Sequence, residues 1–424
     1  MVRAVAVMSA VLACALFLPA DLHAQQDSTS QIDPQTVKAL LQRIQELENR
    51  VHALEAAQQQ ASQPPAAASA AQNAPAGQQP TPVAASMTEM SDMSGHVVPG
   101  SGERMRIRGF SDIDYRSSSL KGSTNSFALG QFNLFITSKL AGKTSVLAET
   151  VVEADQGTNE FGIELERLLL QYNASERLNL SFGRYHTHIG YYNTEYHHSA
   201  WMQTTMGRPF LYQFEDNGGI LPIHNVGISA TGLVNGKLGL EYIAEVGNGR
   251  SARINISNPV QNVTDENNGK SFNVGFVARP EALSGWELGF TAYHDNVSPL
   301  NVSPVNENIF SGHLIYTNSR FEFLNEGVML SHSPQGSPFT IHTPGFYSQL
   351  SKRFGNYRPY FRYEYVNVPQ RDPLYSDVGR QEGPTIGLRY NINEFTAYKL
   401  EYGRTIRRNL SSTNNLGMQL AFAF

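Results

Sequence analysis

Between Glu103 and Phe424 apolar and polar residues alternate with a period of two along segments of about ten residues or more. In the last of these Leu416, Met418, Leu420, Phe422 and Phe424 fall on one face, and Asn415, Gly417, Gln419, Ala421 and Ala423 on the other. Trp286, Leu288, Phe290 and Ala292 oppose Glu287, Gly289 and Thr291, and Leu238, Leu240, Tyr242, Ala244 and Val246 oppose Glu241 and Glu245. Strands in globular proteins average about half this length, whereas about ten residues is what a tilted strand needs to cross a bilayer. Beyond the N-terminal region no stretch reaches the roughly 18 apolar residues of a spanning helix, so any later crossing must be made by strands.

The pattern resolves into sixteen predicted strands at 104–115, 126–140, 143–154, 161–173, 177–185, 223–234, 237–247, 270–279, 285–295, 305–317, 320–332, 339–354, 357–368, 382–393, 396–408 and 414–424. Tight connections alternate with long ones. Asn235-Gly236, Asn318-Ser319, Gly355-Asn356 and Asn393-Glu394 tolerate the positive φ of a two-residue hairpin, while 186–222, 248–269 and 369–381 are long. An even number of strands with short turns at one end and long loops at the other is the layout of an outer-membrane β-barrel. The expected fold is therefore all-β, a transmembrane antiparallel barrel spanning 103–424. Composition agrees: 41% hydrophobic with 16% charged residues is too apolar for disorder, and a mean hydropathy of −0.32 is too low for a helical membrane protein. A formal net charge of −5 gives no reason to expect a nucleic-acid partner.

The first hundred residues read differently. Arg3, the apolar run from Ala4 to Ala20 and Leu22-His23-Ala24 make a signal peptide over 1–24, whose cleavage would remove the lone Cys14. A lipidation reading of Leu12-Ala13-Cys14 competes, although apolar residues continue through Leu18. Over 32–58, Val37, Ile44 and Val51 recur at one heptad position and Leu40, Leu47 and Leu54 at another, which predicts a short periplasmic coiled coil or, alternatively, a single docked amphipathic helix. Residues 59–102 are rich in Ala, Pro and Gln and read as a flexible linker. The Met87, Met90, Met93 and His96 spacing is too sparse for a soft-metal site.

The run Phe182-Gly183-Arg184-Tyr185-His186-Thr187-His188-Ile189-Gly190-Tyr191-Tyr192-Asn193-Thr194-Glu195-Tyr196-His197-His198 resembles the segment after the fifth strand in porins of the phosphate-selective superfamily. Tyr357-Arg358-Pro359-Tyr360-Phe361-Arg362-Tyr363-Glu364 is similar to a late strand of the same proteins, and Phe424 resembles the terminal aromatic read by the barrel-assembly machinery. The resemblance implies a homotrimer, with the third external loop folded into the barrel. Its phosphate-selective members have lysine-lined pores, whereas this barrel has only Lys121, Lys139, Lys143, Lys237, Lys270, Lys352 and Lys399.

A charge facing lipid costs a few kcal/mol near the midplane, so the charged side of each strand must face the lumen. Asp112, Asp114, Glu149, Glu153, Glu241 and Glu245 form an acidic set on early strands, and Arg353, Arg358, Arg362 and Arg389 a basic set on late ones. Opposed walls of this kind would orient dipolar solutes; the competing reading is that they only solvate the lumen. The inward loop adds Glu195, Arg208, Glu215 and Asp216 as constriction candidates. His186, His188, His197, His198 and His224 fall in or beside it, and imidazoles near carboxylates can bind zinc or copper, although loop histidines more often make structural hydrogen bonds. No metal or other cofactor is expected. The chain lacks G-x-S-x-G, H-E-x-x-H and a complete phosphate loop, so no enzyme is expected either. The predicted function is passive diffusion of small hydrophilic solutes or ions, anions among them. The alternatives are a plugged barrel serving as a structural anchor and an outer-membrane barrel enzyme.

Overall fold

The structure is a computed structural model that describes residues 105–155, 160–196, 200–215, 218–251, 264–299, 303–408 and 410–424. The signal peptide, coiled coil and linker expected over 1–102 lie outside the described residues, as do Asp216, His197 and His198. The first eight strands are β1 (Met105–Ser118), β2 (Ser126–Ala141), β3 (Thr144–Asp155), β4 (Glu160–Ser175), β5 (Leu178–His186), β6 (His224–Asn235), β7 (Leu240–Gly247) and β8 (Ser271–Ala278). The second eight are β9 (Trp286–Val297), β10 (Val305–Thr317), β11 (Phe321–Pro334), β12 (Ile341–Lys352), β13 (Tyr357–Asn367), β14 (Arg380–Asn391), β15 (Thr396–Arg407) and β16 (Thr413–Ala423). Their ends differ from the sequence reading by at most three residues, at Ser118 of β1 and Leu240 of β7.

Each strand pairs antiparallel with its chain neighbours, and β1 pairs with β16 from Phe110↔Ala423 to Ser118↔Asn415. Closure leaves no row of unpaired backbone groups, which a bilayer interior could not hydrate. At the seam Gly109 and Phe424 exchange both backbone hydrogen bonds, at 2.8 and 2.9 Å, and the Phe424 ring stacks on Phe132 at 5.8 Å. Gly109 leaves room for this arrangement, because a Cβ would stand 2.2 Å from the Phe424 ring and displace it.

Two of the four expected hairpins are longer than two residues. After Asn235 the chain takes four residues to reach Leu240, with the positive φ at Gly239 (+50°) rather than Gly236, and residues 392–395 likewise separate β14 from β15. Side-chain capping accounts for the difference: Asn235 and Asn393 accept from Leu238 N–H and Phe395 N–H, closing a wider turn. Gly355-Asn356 is a two-residue turn inside the Phe354↔Tyr357 bridge. Asn318 instead precedes its turn, accepting from the N–H of Arg320 and of Phe321.

The alternation places the side chains as expected. Phe127 (79% exposed), Ile163 (75%), Phe272, Phe290, Phe361 and Ile386 face outward, while Glu149, Glu307, Glu326, Lys399 and Gln419 are buried inside. An apolar belt of this extent finds its solvent in lipid, not water. Aromatic pairs Trp286–Tyr316 (4.9 Å) and Tyr357–Tyr390 (4.8 Å) lie beside the short turns, where an interfacial girdle is expected.

Candidate pore constriction

The longest of the connections, residues 187–223 (hereafter L3), joins β5 to β6. Because those strands are neighbours, its ends must meet: Thr187 donates its N–H to Ile223 O at 2.9 Å, and Asn193 Nδ2 donates to both Thr187 O and Ile223 O. The chain between them turns inward at Gly190 (φ +76°), forms the short helix α1 (Tyr191–Glu195), runs through 200–206 and makes a 3-10 turn at Phe210–Tyr212. In a ring of sixteen strands β13 and β14 lie eight places from β5 and β6. L3 bonds to both, so it crosses the lumen.

Carboxylates on the far wall receive it. Glu326 on β11 accepts from the N–H of Tyr191 (2.6 Å) and Tyr192 (2.8 Å) and from the hydroxyls of Tyr212 (2.8 Å) and Tyr347 (2.5 Å). Glu322 accepts from Thr204 Oγ1 and Gln349 Nε2, Glu364 on β13 from Phe210 N–H, and Glu401 on β15 from Met206 N–H and Tyr360 OH. Tyr192, Leu211, Tyr212, Phe214 and Leu221 then pack with Val328, Leu330, Tyr347 and Val366 of the wall into one buried apolar cluster. Further along, Trp201 packs 6.2 Å from Phe110, which meets Phe135 edge to face at 5.3 Å.

The basic residues of the same wall hold main-chain carbonyls of L3. Arg358 pairs across the sheet with Arg389, and Arg389 with Lys399, so three cations stand in one row across β13, β14 and β15. Arg389 Nη1 donates to Trp201 O (2.7 Å) and Gln203 O (2.9 Å), and Lys399 Nζ to Ala200 O and Thr205 O. Arg362, two repeats of the pleat from Arg358, donates to Thr205 Oγ1 and Gly207 O and pairs with Glu364 at 2.5 Å. Arg358 reaches Glu322 at 3.5 Å. The sequence reading placed Arg358, Arg362 and Arg389 inward, but Arg362 and Arg389 are buried beneath L3 rather than lining open water. Arg353 sits in the turn after β12, its Nε bonded to Gly355 O.

The separation into an acidic and a basic wall is not what the structure contains. Glu307, Glu322, Glu326, Glu364 and Glu401 interleave with the arginines, and Arg167 and Arg250 stand among the early acids. Asp112 and Asp114 are on β1, beside β16 and hence next to the basic row. Pairing explains this mixing, because a buried charge is tolerated only with a partner. Glu149 is fully buried against Arg167 (2.5 Å), and Glu245 accepts from His188 Nδ1 (2.5 Å), Ser229 and Asn273. Glu153 and Glu241 remain partly exposed, taking Gln131 Nε2 at 2.9 Å and Arg279 Nη1 at 3.0 Å.

Within L3, Arg208 is structural: its Nε donates to Tyr212 O, its Nη1 to Tyr196 O, and its guanidinium lies 4.0 Å over the Phe214 ring. Burial, then the nearby Glu287 charge, pushes the Glu195 carboxyl up to about 7. Burial also opposes ionisation of Glu215, but His224 outweighs it and holds this carboxyl below its ordinary value. The parity that placed Arg358 and Arg362 inward places Glu364 there too, whereas Glu322, Glu326, Lys399 and Glu401 were not among the sequence candidates. Inward parity on β11 and β15 is the signal that could have found them.

No protein-family model matches the chain, and no curated protein matches it in sequence. Solved structures do match. An anion-selective porin from Comamonas acidovorans superposes with a TM-score of 0.54 at 11% identity, covering 76% of this chain and 99% of that one. Salmonella typhi OmpF in complex with daunomycin gives 0.53 at 10% identity, and the outer membrane channel DcaP of Acinetobacter baumannii 0.52 at 11%, each over 76% of this chain and 97% of the other. The chain has the sixteen-stranded fold of the outer-membrane porins.

Proposed function

We propose that the chain is a passive outer-membrane porin for small hydrophilic solutes and ions, with a preference for anions where L3 meets the far wall. The observation that carries this reading is the row Arg358, Arg389 and Lys399, in which the Arg389 guanidinium is bonded to carbonyl oxygens of L3, which do not cancel its positive charge. Buried cations in a low-dielectric wall project their field into the adjacent water more strongly than solvated ones. The apolar outer belt supports the outer-membrane location, and the resemblance in the sequence supports a trimer inserted by way of Phe424. No reaction is assigned to the barrel. The plugged-anchor reading draws on the apolar cluster that L3 forms inside the barrel.

The test is the reversal potential of reconstituted protein across a KCl gradient. Anion preference is expected, strongest at low salt where the Debye length reaches roughly 30 Å at 0.01 M, and reduced by Arg389→Met. Cation preference in the folded wild type would defeat the anion assignment. Chemical cross-linking in detergent should yield trimers, and monomers alone would remove that part of the proposal.

A further inference from the structure

We propose that Glu166, His186 and His224 form a binding site for a zinc-class divalent cation at the root of L3. The site begins with an irregularity in the sheet. Pairing between β3 and β4 steps from Glu149↔Arg167 to Thr150↔Leu165, so Glu166 is an extra residue, and both Glu166 and Arg167 are buried inside. A bulge re-aims a side chain in this way. Arg167 is taken by Glu149 at 2.5 Å, and Glu166 turns toward the next strands. On β5, Gly183 adopts φ +129°, and a Cβ there would stand 1.9 Å from Leu168 O, so only glycine lets β5 run this close to the bulged strand.

Three residues beyond that glycine is His186, the last residue of β5, paired directly with His224, the first of β6. One ligand atom from each of Glu166, His186 and His224 lies within 4.8 Å of the others, and the three residues are 1%, 5% and 4% exposed. His224 Nε2 is 2.6 Å from Glu166 Oε2. Its Nδ1 faces Glu215 Oε2 at 3.2 Å, and Glu215 also accepts the His224 backbone N–H at 3.0 Å. A carboxylate on the far nitrogen is the arrangement that fixes the orientation of a metal-ligating imidazole and raises its basicity. Phe214 stacks on the His224 ring at 5.9 Å and helps keep it in place.

Two imidazoles and one carboxylate suit Zn²⁺, Ni²⁺ or Cu²⁺ rather than Mg²⁺ or Ca²⁺, with water completing a tetrahedron. Ligand atoms about 2.1 Å from a tetrahedral cation lie roughly 3.4 Å apart, so the His224–Glu166 contact would open by somewhat under 1 Å. The cation replaces the hydrogen bond between Nε2 and Oε2 with two coordinate bonds, and the bridging proton leaves to solvent. Because the two histidines flank L3, the bound cation ties both ends of the loop to β4.

The test titrates Zn²⁺ into folded, detergent-solubilised full-length protein against a chromophoric chelator. One Zn²⁺ per chain is expected in the wild type, lost in His186→Ala/His224→Ala and weakened about 10- to 100-fold in Glu215→Gln. Replacement of the exposed His294 and His342 by alanine should change nothing. X-ray absorption of wild type loaded with Co²⁺ gives a readout independent of any variant's folding, and two imidazole nitrogens are expected. Failure of the wild type to bind Zn²⁺, undiminished binding in the double variant, or a Co²⁺ spectrum without imidazole would each overturn the site.

Discussion

Glu326→Gln removes one charge from the carboxylate that holds L3 and leaves the side-chain volume almost unchanged. In the wild type Oε2 accepts from Tyr191 N–H and Tyr212 OH, and Oε1 from Tyr192 N–H and Tyr347 OH. Bonds to a charged acceptor contribute about 1.5–3 kcal/mol each, and neutral ones about 0.5–1.5. An amide keeps one acceptor oxygen at neutral strength but turns its NH₂ toward two donors. Tyr212 OH can rotate to accept, whereas the Tyr191 N–H cannot and is left facing a donor in a buried site. The net loss is about 3 kcal/mol, which at 1.4 kcal/mol per decade corresponds to a roughly 100-fold shift toward an open loop. Hydrogen–deuterium exchange of folded protein in micelles reads this directly: the amides of Tyr191 and Tyr192 should exchange about 100-fold faster, while those of β1 and β16 at the seam stay protected. Equal exchange in wild type and variant would refute the assignment of Glu326 as the anchor of L3.

Gly190→Ala should disrupt the same loop by a different route, since at φ +76° the new Cβ would meet Tyr212 OH at 1.8 Å and Glu326 Oε2 at 2.3 Å; limited proteolysis of L3 should rise sharply, and an unchanged digest would count against the packed loop. Glu195, with its carboxyl raised to about 7, is neutral in the wild-type loop at pH 6 and charged at pH 8. Cation permeability relative to anion permeability should therefore grow over that interval and stay flat in Glu195→Gln. The sign for stability follows: a raised carboxyl favours the folded state below its unfolded value and loses that advantage as pH climbs from about 4.5 toward 7. Deleting Phe424 removes both backbone bonds to Gly109 and the stack on Phe132, so the amount of barrel in the outer membrane should fall several-fold by immunoblot; Gly109→Val should do the same by displacing the ring.

The strands were legible because each of their residues obeys one local rule. Apolar side chains had to face lipid and charged ones the lumen, so Phe361 against Arg362 or Leu388 against Arg389 fixed the register without knowledge of any partner strand. L3 has no such period. Its path depends on which wall it meets, and the sequence could not show that Tyr191 N–H ends on Glu326, 135 residues away. The same limit hid the placement of Glu166, whose inward turn comes from a bulge set by pairing with β3 and is invisible to a strict alternation. Arg208 and Glu195 illustrate the middle ground: the loop assignment placed both inside the barrel, yet Arg208 holds L3 together while Glu195 stays partly exposed.

Single-channel recording in planar bilayers tests the central claim most directly. Folded wild-type barrels should insert with discrete, ohmic steps that scale with bulk salt, and replacing residues 200–206 of L3 by a short Gly-Ser bridge should enlarge the step because the segment bonded to Arg389 and Lys399 is removed. Inserted, heat-modifiable wild-type barrels that pass no current, with conduction appearing only after that replacement, would contradict the porin reading and identify L3 as a plug.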